Sequence, residues 1–276
     1  VLPKATEDAK SKKNSIESLA RLATLTTENM VSSLIVVDNA RIEQIYANLS
    51  QSKFWEAANK AIVEPLHVFN ELTSTPSAHT SLDPSDFGKI ISCGDCSVYG
   101  TMTVRDYMEE TALAEAAIES LGSSMLAEGF DLKQTRVGGM LITGPKEALD
   151  NLPAININYC YHMISEQTNG ASIFRGIYET SSDVDEIKII VWLSGLGLPK
   201  DRIDNLKKES KEKQAIIAEK EKMRVASMKL DLSDDKVNSV TEEVNRKIKK
   251  KKSGFNKLQR GQRSNRTSII DRRKRR

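Results

Sequence analysis

The order in which short β-branched runs and helical segments follow one another constrains this fold more than any other feature. Ser33–Val37 is an apolar run rich in β-branched residues, which predicts a buried parallel strand. Apolar residues at helical spacing flank this run and predict three helices, at residues 5–28, 40–49 and 53–74. The first part of the chain therefore alternates helix and strand, as α/β folds do.

From Asp83 onward strands become more frequent. Alternating apolar and polar residues predict five strands, at residues 90–92, 97–104, 136–143, 171–179 and 186–194. We expect the last two to be joined by the acidic turn Thr180–Asp185. Helical patterns occupy residues 109–120 and 154–168. The predicted class is α/β throughout, with an antiparallel or mixed sheet in the second half.

The chain changes character beyond Pro199. Residues 201–232 are rich in Lys and Glu at helical spacing, which predicts a long, mostly solvated helix. Residues 246–276 hold 15 of the 41 basic residues and one of the 38 acidic residues, a net charge of +14, while the rest of the chain carries −11. So few apolar groups and so much like charge predict a disordered basic tail.

Several classes of protein are disfavoured by composition. No apolar run approaches the roughly 18 residues of a membrane span, so no membrane partner is expected. Three cysteines are too few for a disulfide framework and suit a reducing, cytoplasmic location. Cys93 and Cys96 form a CxxC pair without further Cys or His ligands at compatible spacing, so we interpret them as ordinary thiols and expect no protein-bound metal.

Three local motifs suggest nucleotide recognition. Asn39 follows the strand Ile35–Val37 and Asp38 directly. Trp55 and Asn59 are four residues apart in a predicted helix, so an aromatic ring and an amide share one face. A ring and an amide on one face can grip a single base together.

These motifs and the order of segments up to about residue 198 resemble the tubulin/FtsZ superfamily of GTPases. The resemblance implies that Asn39 contacts guanine, that Trp55 (or Phe54 in its place) packs on the base, and that Asn59 bonds its polar edge. Glu7, in the segment Pro3–Glu7, resembles the glutamate that reaches the ribose. The arginine that follows in FtsZ has no clean match, and Lys10 and Lys12 are the candidates for its role. The implied cofactors are GTP and the Mg²⁺ that accompanies it.

The segment Ser81–Phe87 resembles the acidic loop NxDxxD of the same superfamily, with Ser81 in place of the Asn. The resemblance implies that Asp83 and Asp86 are catalytic. They would position and polarise the water that attacks the γ-phosphate held by a neighbouring subunit. The alternative is a purely structural role, because Ser81, Asp83 or Asp86 could each cap the helix that follows.

Gly195–Lys200 followed by a Lys/Glu helix resembles the TubZ branch. The resemblance implies five parts: a remnant of the GTP-binding domain (1–50), a central core helix (51–78), a C-terminal polymerisation domain with a mixed four-stranded sheet (79–198), an extended charged helix (199–245) and a basic disordered tail (246–276). The glycine-rich phosphate loop of the superfamily is absent, and the chain opens at Val1. We therefore expect a C-terminal portion that binds GTP poorly alone.

The predicted function is that of a bacterial, GTP-dependent, head-to-tail filament that segregates plasmid or phage DNA. Its partner would be a DNA-bound adaptor protein held by the tail through Lys249, Lys250, Lys251, Lys252, Arg272, Arg273, Lys274, Arg275 and Arg276. Three alternatives stay open: a tail that binds nucleic acid directly, an FtsZ-like cell-division protein, and a tail that merely resists aggregation.

Overall fold

A computed structural model describes residues 1–124, 126–230 and 241–246. Helices and strands follow one another as α1 (Ala9–Thr27), β1 (Leu34–Ile35), α2 (Asn39–Ile45), α3 (Gln51–Leu72), α4 (Pro84–Ile91), β2 (Cys96–Val104), α5 (Ala112–Gly122), β3 (Val137–Gly144), α6 (Lys146–Asn151), α7 (Ala154–Gln167), β4 (Ser172–Glu179), β5 (Ile187–Leu196) and α8 (Lys200–Leu230). A short 3-10 turn, Leu132–Gln134, precedes β3. The chain divides into two units, Val1–Gln214 and Ala215–Arg276. In the second unit the described residues, 215–230 and 241–246, are helical.

One mixed sheet organises the first unit. Its strands lie in the order β1-β2-β5-β3-β4. The β1–β2 and β3–β4 pairs are parallel, while β5 runs antiparallel to both of its neighbours. Central β5 is almost entirely buried, because strands flank it on both edges and helices cover the sheet. The predicted α/β class with a mixed sheet of four long strands is confirmed, and two-residue β1 extends that sheet at one edge.

One expectation about strands was wrong. Residues Ile90 and Ile91 belong to the end of α4, and their apolar pattern reflects burial of a helix face rather than a strand. Strands β4 and β5 are consecutive in sequence but not neighbours, because β3 lies between them. The acidic connection crosses the end of β3, where Thr180 N–H donates to the Gly144 carbonyl at 2.8 Å.

Helices α3 and α4 dock on the sheet through an aromatic cluster. Phe69 of α3, Phe87 of α4 and Trp192 of β5 contact one another with ring centroids 5.4–5.9 Å apart. Phe69 and Trp192 are fully buried. The end of α3 and the start of α4 are therefore fixed to the same point on the sheet.

Helix α3 contains Pro65 in its second half. Proline has no N–H to donate to the carbonyl four residues earlier, so the helix is weakest in this turn. The Tyr99 hydroxyl of β2 donates a hydrogen bond of 2.7 Å to the Ile62 carbonyl in the same turn. Burial raises the pKa of Tyr99 to about 12, so the hydroxyl keeps its proton at neutral pH. The sheet thus supplies a hydrogen bond to α3 beside the proline.

Among the described residues, no helix combines the length and apolar character needed to cross a membrane.

Candidate functional site

The N-terminal loop that carries Glu7 is folded into a tight turn. The Lys4 N–H donates to Glu7 Oε1 at 2.9 Å, and the Glu7 N–H donates to the Lys4 carbonyl at 3.2 Å. Asp8 then caps α1 by accepting from the N–H groups of Lys10 and Ser11. Glu7 therefore lies between a turn and a helix start, with its carboxylate bonded within its own loop.

Asn39 lies beside this loop. The Leu2 N–H donates to the Val37 carbonyl at 2.7 Å, and the Asn39 N–H donates to the Leu2 carbonyl at 3.1 Å. Asp38 caps α2 by accepting from the Ala40 N–H at 3.0 Å. The N-terminal loop that carries Glu7 is thus held beside Asn39, just beyond the C-terminal end of β1. These are the two residues expected to contact the ribose and the base.

Lys4, in the same N-terminal loop, contacts the two aromatic rings at the start of α3. The Lys4 ammonium lies 5.8 Å from the Phe54 ring centroid and 5.9 Å from that of Trp55, and it contacts Glu43 Oε1 at 2.5 Å. Trp55 is 48% exposed, whereas Phe54 is half-buried and packs edge-on against Tyr46. Of the two rings, Trp55 is the more open to a ligand.

Asn59 lies one turn beyond Trp55 on α3 and is exposed. Glu7, Asn39, Phe54, Trp55 and Asn59, the residues predicted to contact the nucleotide, are called the base cluster below. Loop contacts with Lys4 and Leu2 tie the first four together, and helical spacing places Asn59 on the Trp55 face.

The acid pair, Asp83 and Asp86, begins α4. Asp83 is its N-cap, and Oδ1 accepts from the Ser85 N–H at 2.6 Å. The hydrogen bonds from Ser85 lower the pKa of Asp83, so it is ionised at neutral pH. Asp86, in the first turn, pairs with Lys89 at 2.7 Å. The capping geometry that the structural alternative predicts is therefore present.

The loop before the acid pair is firmly held. Leu82 is buried, and its N–H donates to the Tyr178 hydroxyl at 2.7 Å. Thr80 forms an isolated antiparallel bridge with Ile177 of β4. These contacts fix the position of Asp83 against the edge of the sheet.

The base cluster and the acid pair lie at opposite ends of α3. Phe87, next to Asp86, stacks on Phe69 in the last turn of α3 at 5.8 Å. Trp55 and Phe69 are 14 positions apart in one helix, a rise of about 20 Å. Within one copy of the chain the acids therefore cannot reach a ligand bound beside Trp55.

Sequence reasoning missed the cations that organise the base cluster. Lys4 was not predicted as a site residue, because nothing in its position in the sequence distinguishes it from other surface lysines. Lys12, a candidate for a ligand-contacting role, is fully buried and pairs with Glu209 and the Ala5 carbonyl instead. Lys10 is exposed. The predicted tail residues Lys249–Lys252 and Arg272–Arg276 lie outside the described residues.

The cysteines show no sign of activation. Burial raises the pKa of Cys96 to about 11 and that of Cys160 to about 12, and it also raises the pKa of Cys93. Thiols with raised pKa values are poor nucleophiles and poor metal ligands at neutral pH.

No family model matches the chain, and no curated protein matches it. Solved structures do. TubZ of Bacillus thuringiensis serovar israelensis, solved as GDP-form protofilaments, aligns with a TM-score of 0.68 at 19% identity, over 83% of this chain and 59% of TubZ.

Two further solved structures are similar to the chain. CetZ2 from Haloferax volcanii, a GTPγS-bound protofilament, aligns with a TM-score of 0.60 at 17% identity, over 79% of this chain and 60% of CetZ2. An FtsZ variant from M. jannaschii aligns with a TM-score of 0.54 at 18% identity, over 71% of this chain and 55% of FtsZ. The chain thus spans less than two thirds of the length of these structures. Over that length, the chain has the tubulin/FtsZ fold.

Proposed function

We propose that this chain is part of a GTP-hydrolysing protein that works as a head-to-tail polymer. One observation carries the proposal: the base cluster and the acid pair lie about 20 Å apart along α3. A general base must come within about 3 Å of the proton that it takes, or act through one water. Asp83 can meet that condition only at a nucleotide held by a second copy, stacked with its base cluster against the acid pair of the first.

Nucleotide states and assemblies of similar structures support this proposal. TubZ has been solved as GDP-form and GTPγS-form protofilaments, and helical models exist of its two-stranded and four-stranded filaments. CetZ2 is likewise a nucleotide-bound protofilament. In our proposal this chain binds GTP with Mg²⁺ in the same kind of assembly, and Asp83 and Asp86 are its catalytic residues.

Each part of the chain has a role in this proposal. Residues 1–50 belong to the GTP-binding domain, 51–78 form the central helix, and 79–198 form the polymerisation domain. Residues 199–245 are a charged extension whose described helix is α8 (Lys200–Leu230), and residues 246–276 are a basic tail. The protein acts in the bacterial cytoplasm, where the filament moves plasmid or phage DNA through an adaptor protein.

The Asn59→Ala variant tests base recognition. In a form of the protein that includes a phosphate-binding loop, we expect GTP affinity to fall by about 1–3 kcal/mol, because hydrogen bonds to the base edge are lost. Affinity for ATP, whose base edge differs, should change little. Titration of both nucleotides, followed by tryptophan fluorescence, measures the two affinities.

Asn70→Ala is the matched control for that experiment. Asn70 is exposed on the same helix, 11 positions beyond Asn59, so its loss should leave both affinities unchanged. Equal GTP affinities in the Asn59→Ala variant and the wild type would remove Asn59 from the site.

The basic tail is assigned to the adaptor on its charge of +14. We expect deletion of residues 246–276 to leave polymerisation intact and to abolish recruitment of an adaptor–DNA complex. Co-sedimentation of filaments with adaptor and DNA at two salt concentrations measures this. A full-length protein that binds DNA equally well without adaptor, with steep salt dependence, would favour direct nucleic-acid binding. Recruitment that survives the deletion would show that the tail is not the contact.

A further inference from the structure

A largely buried network of charges joins the beginning of α8 to Asp38, just beyond β1. Arg202 pairs with Asp38 through two nitrogens, and its Nη1 lies 3.3 Å from Glu209 Oε1. Glu209 in turn pairs with Lys12 of α1. Asp38 and Lys12 are buried, and the Arg202 side chain is only 11% exposed. Two cations and two anions alternate, so the network is balanced in charge.

The same cations hold the backbone of the Glu7 loop. The Pro3 carbonyl accepts from Arg202 Nη2 at 3.0 Å. The Ala5 carbonyl accepts from Lys12 at 2.8 Å and from Lys213 at 2.7 Å, and the Glu7 carbonyl accepts from Lys213 at 2.6 Å. Every second carbonyl from residue 3 to residue 7 therefore bonds to a cationic side chain. Two of these three cations come from α8.

Apolar contact alone would dock α8 but would not orient the loop. Leu206 is fully buried and Ile203 packs against the core, which accounts for attachment of the helix. Hydrogen bonds from Arg202 and Lys213 add direction, because carbonyl lone pairs accept along defined lines. Burial lowers the pKa of Arg202, but Asp38 and Glu209 outweigh this effect and the pKa is raised, so the guanidinium stays charged.

We infer that Arg202 and Lys213 of α8 are positioning residues for the base cluster. Both set the conformation of the Glu7 loop through its carbonyl groups, and Arg202 also fixes, through Asp38, the segment that presents Asn39. Coupling between two sites is reciprocal. A ligand that orders this loop therefore also favours docking of α8, and a loosened α8 lowers the affinity for that ligand. The identity of that ligand rests on the proposed function, whereas the hold of α8 on the loop does not.

The hold on the loop can be measured on the chain as it stands, without nucleotide. The chain has two tryptophans, so 5-fluorotryptophan labelling gives two ¹⁹F resonances, which Trp55→Phe assigns. Trp55 reports on the loop because Lys4 lies over its ring, and Trp192 reports on the core. In Arg202→Met and Lys213→Met we expect the Trp55 resonance to move and that of Trp192 to stay. Amide hydrogen exchange in residues 1–9 should quicken at least tenfold, with β5 unchanged.

Lys207→Met is the matched control, because Lys207 lies on the same helix, is 53% exposed and pairs only locally with Asp204 among the described residues. It should match the wild type in both measurements. Arg202→Lys keeps the charge but not the planar fork, so it should restore the Trp55 resonance in part. If amide exchange in β5 also quickens in Arg202→Met, that variant has disturbed the core. The result for Lys213→Met then decides, because this variant keeps the Arg202–Asp38 ion pair. Wild-type exchange in residues 1–9 of Lys213→Met, with the Trp55 resonance unmoved, would overturn the inference.

A nucleotide experiment separates this inference from the proposed function. In a form that includes a phosphate-binding loop, Lys213→Met should weaken GTP binding roughly tenfold. Unchanged GTP affinity in that variant, alongside a loss in Asn59→Ala, would overturn the coupling alone. Unchanged affinity in both variants, with a loosened loop, would overturn the proposed function and leave the hold on the loop standing.

Discussion

The Asp83→Ala variant should bind GTP and assemble normally but hydrolyse GTP about 10²–10⁴-fold more slowly, the usual effect of removing a positioned acid or base. Binding is spared because Asp83 lies about 20 Å along α3 from the base cluster of its own copy. Phosphate release from preassembled filaments measures hydrolysis, and sedimentation measures assembly. This expectation applies to a form of the protein that includes a phosphate-binding loop.

The capping role of Asp83 is separated from the catalytic role by Asp83→Asn. Asparagine caps helices as well as aspartate does, so this variant should keep its stability and still lose hydrolysis. Asp131→Ala is the matched control, since Asp131 also accepts a hydrogen bond at the start of a short helical turn, from the Lys133 N–H at 3.2 Å. It should hydrolyse GTP normally. Asp86→Ala should slow hydrolysis in the same direction as Asp83→Ala.

Mixed filaments offer a second measurement of the same idea. A copy without Asp83 disables the site of its neighbour rather than its own, so sparse Asp83→Ala copies should make wild-type filaments longer-lived. Wild-type hydrolysis in Asp83→Asn would demote the acid pair to a helix cap.

A large loss of stability is expected in Gly100→Ala. A Cβ at Gly100 of β2 would lie 2.2 Å from the Ser120 carbonyl oxygen and 2.7 Å from the Leu121 nitrogen, both backbone atoms of α5. Backbone cannot swing aside as a flexible side chain does, so α5 must move off the sheet. The free energy of unfolding should fall by about 3 kcal/mol, at the upper end of the usual cost of overpacking. Urea unfolding followed by circular dichroism measures the change.

Gly88→Ala is the control for that substitution. Gly88 lies inside α4 with nothing within 4 Å of its added Cβ, so alanine should stabilise the helix by about 0.5–1 kcal/mol. The two variants add the same methyl group and should change stability in opposite directions. A Gly100→Ala protein within 1 kcal/mol of the wild type would contradict the close packing of α5 on β2.

Local periodicity was enough to predict most elements and the fold class. Apolar spacing located α3 and α7 to within a few residues, and the Trp55–Asn59 spacing placed both side chains on one exposed face. Where prediction failed or went no further, the deciding contacts are long-range. Nothing local in β4 and β5 reveals that β3 enters between them. The apolar pair at the end of α4 fits a strand equally well until its burial is known.

In the base cluster too, local features could be predicted and long-range contacts could not. Its ring and amide follow from spacing, but the cations behind it do not, because Arg202 and Pro3 are 199 positions apart and Lys12 and Glu209 are 197 apart. A lysine on an amphipathic helix is normally solvated, so the burial of Lys12 could not be inferred without its partner. The catalytic and binding roles of the individual residues stay predictions.

The hydrogen bond from Tyr99 to α3 has a mechanical consequence. A slender strut loaded along its axis buckles first where it is weakest, and in α3 that point is the turn before Pro65. Tyr99 of β2 holds α3 to the sheet at this turn, through its hydrogen bond to the Ile62 carbonyl. A bend of α3 at this turn would also have to break the hydrogen bond from Tyr99, so the helix is stiffer here than the proline alone would leave it.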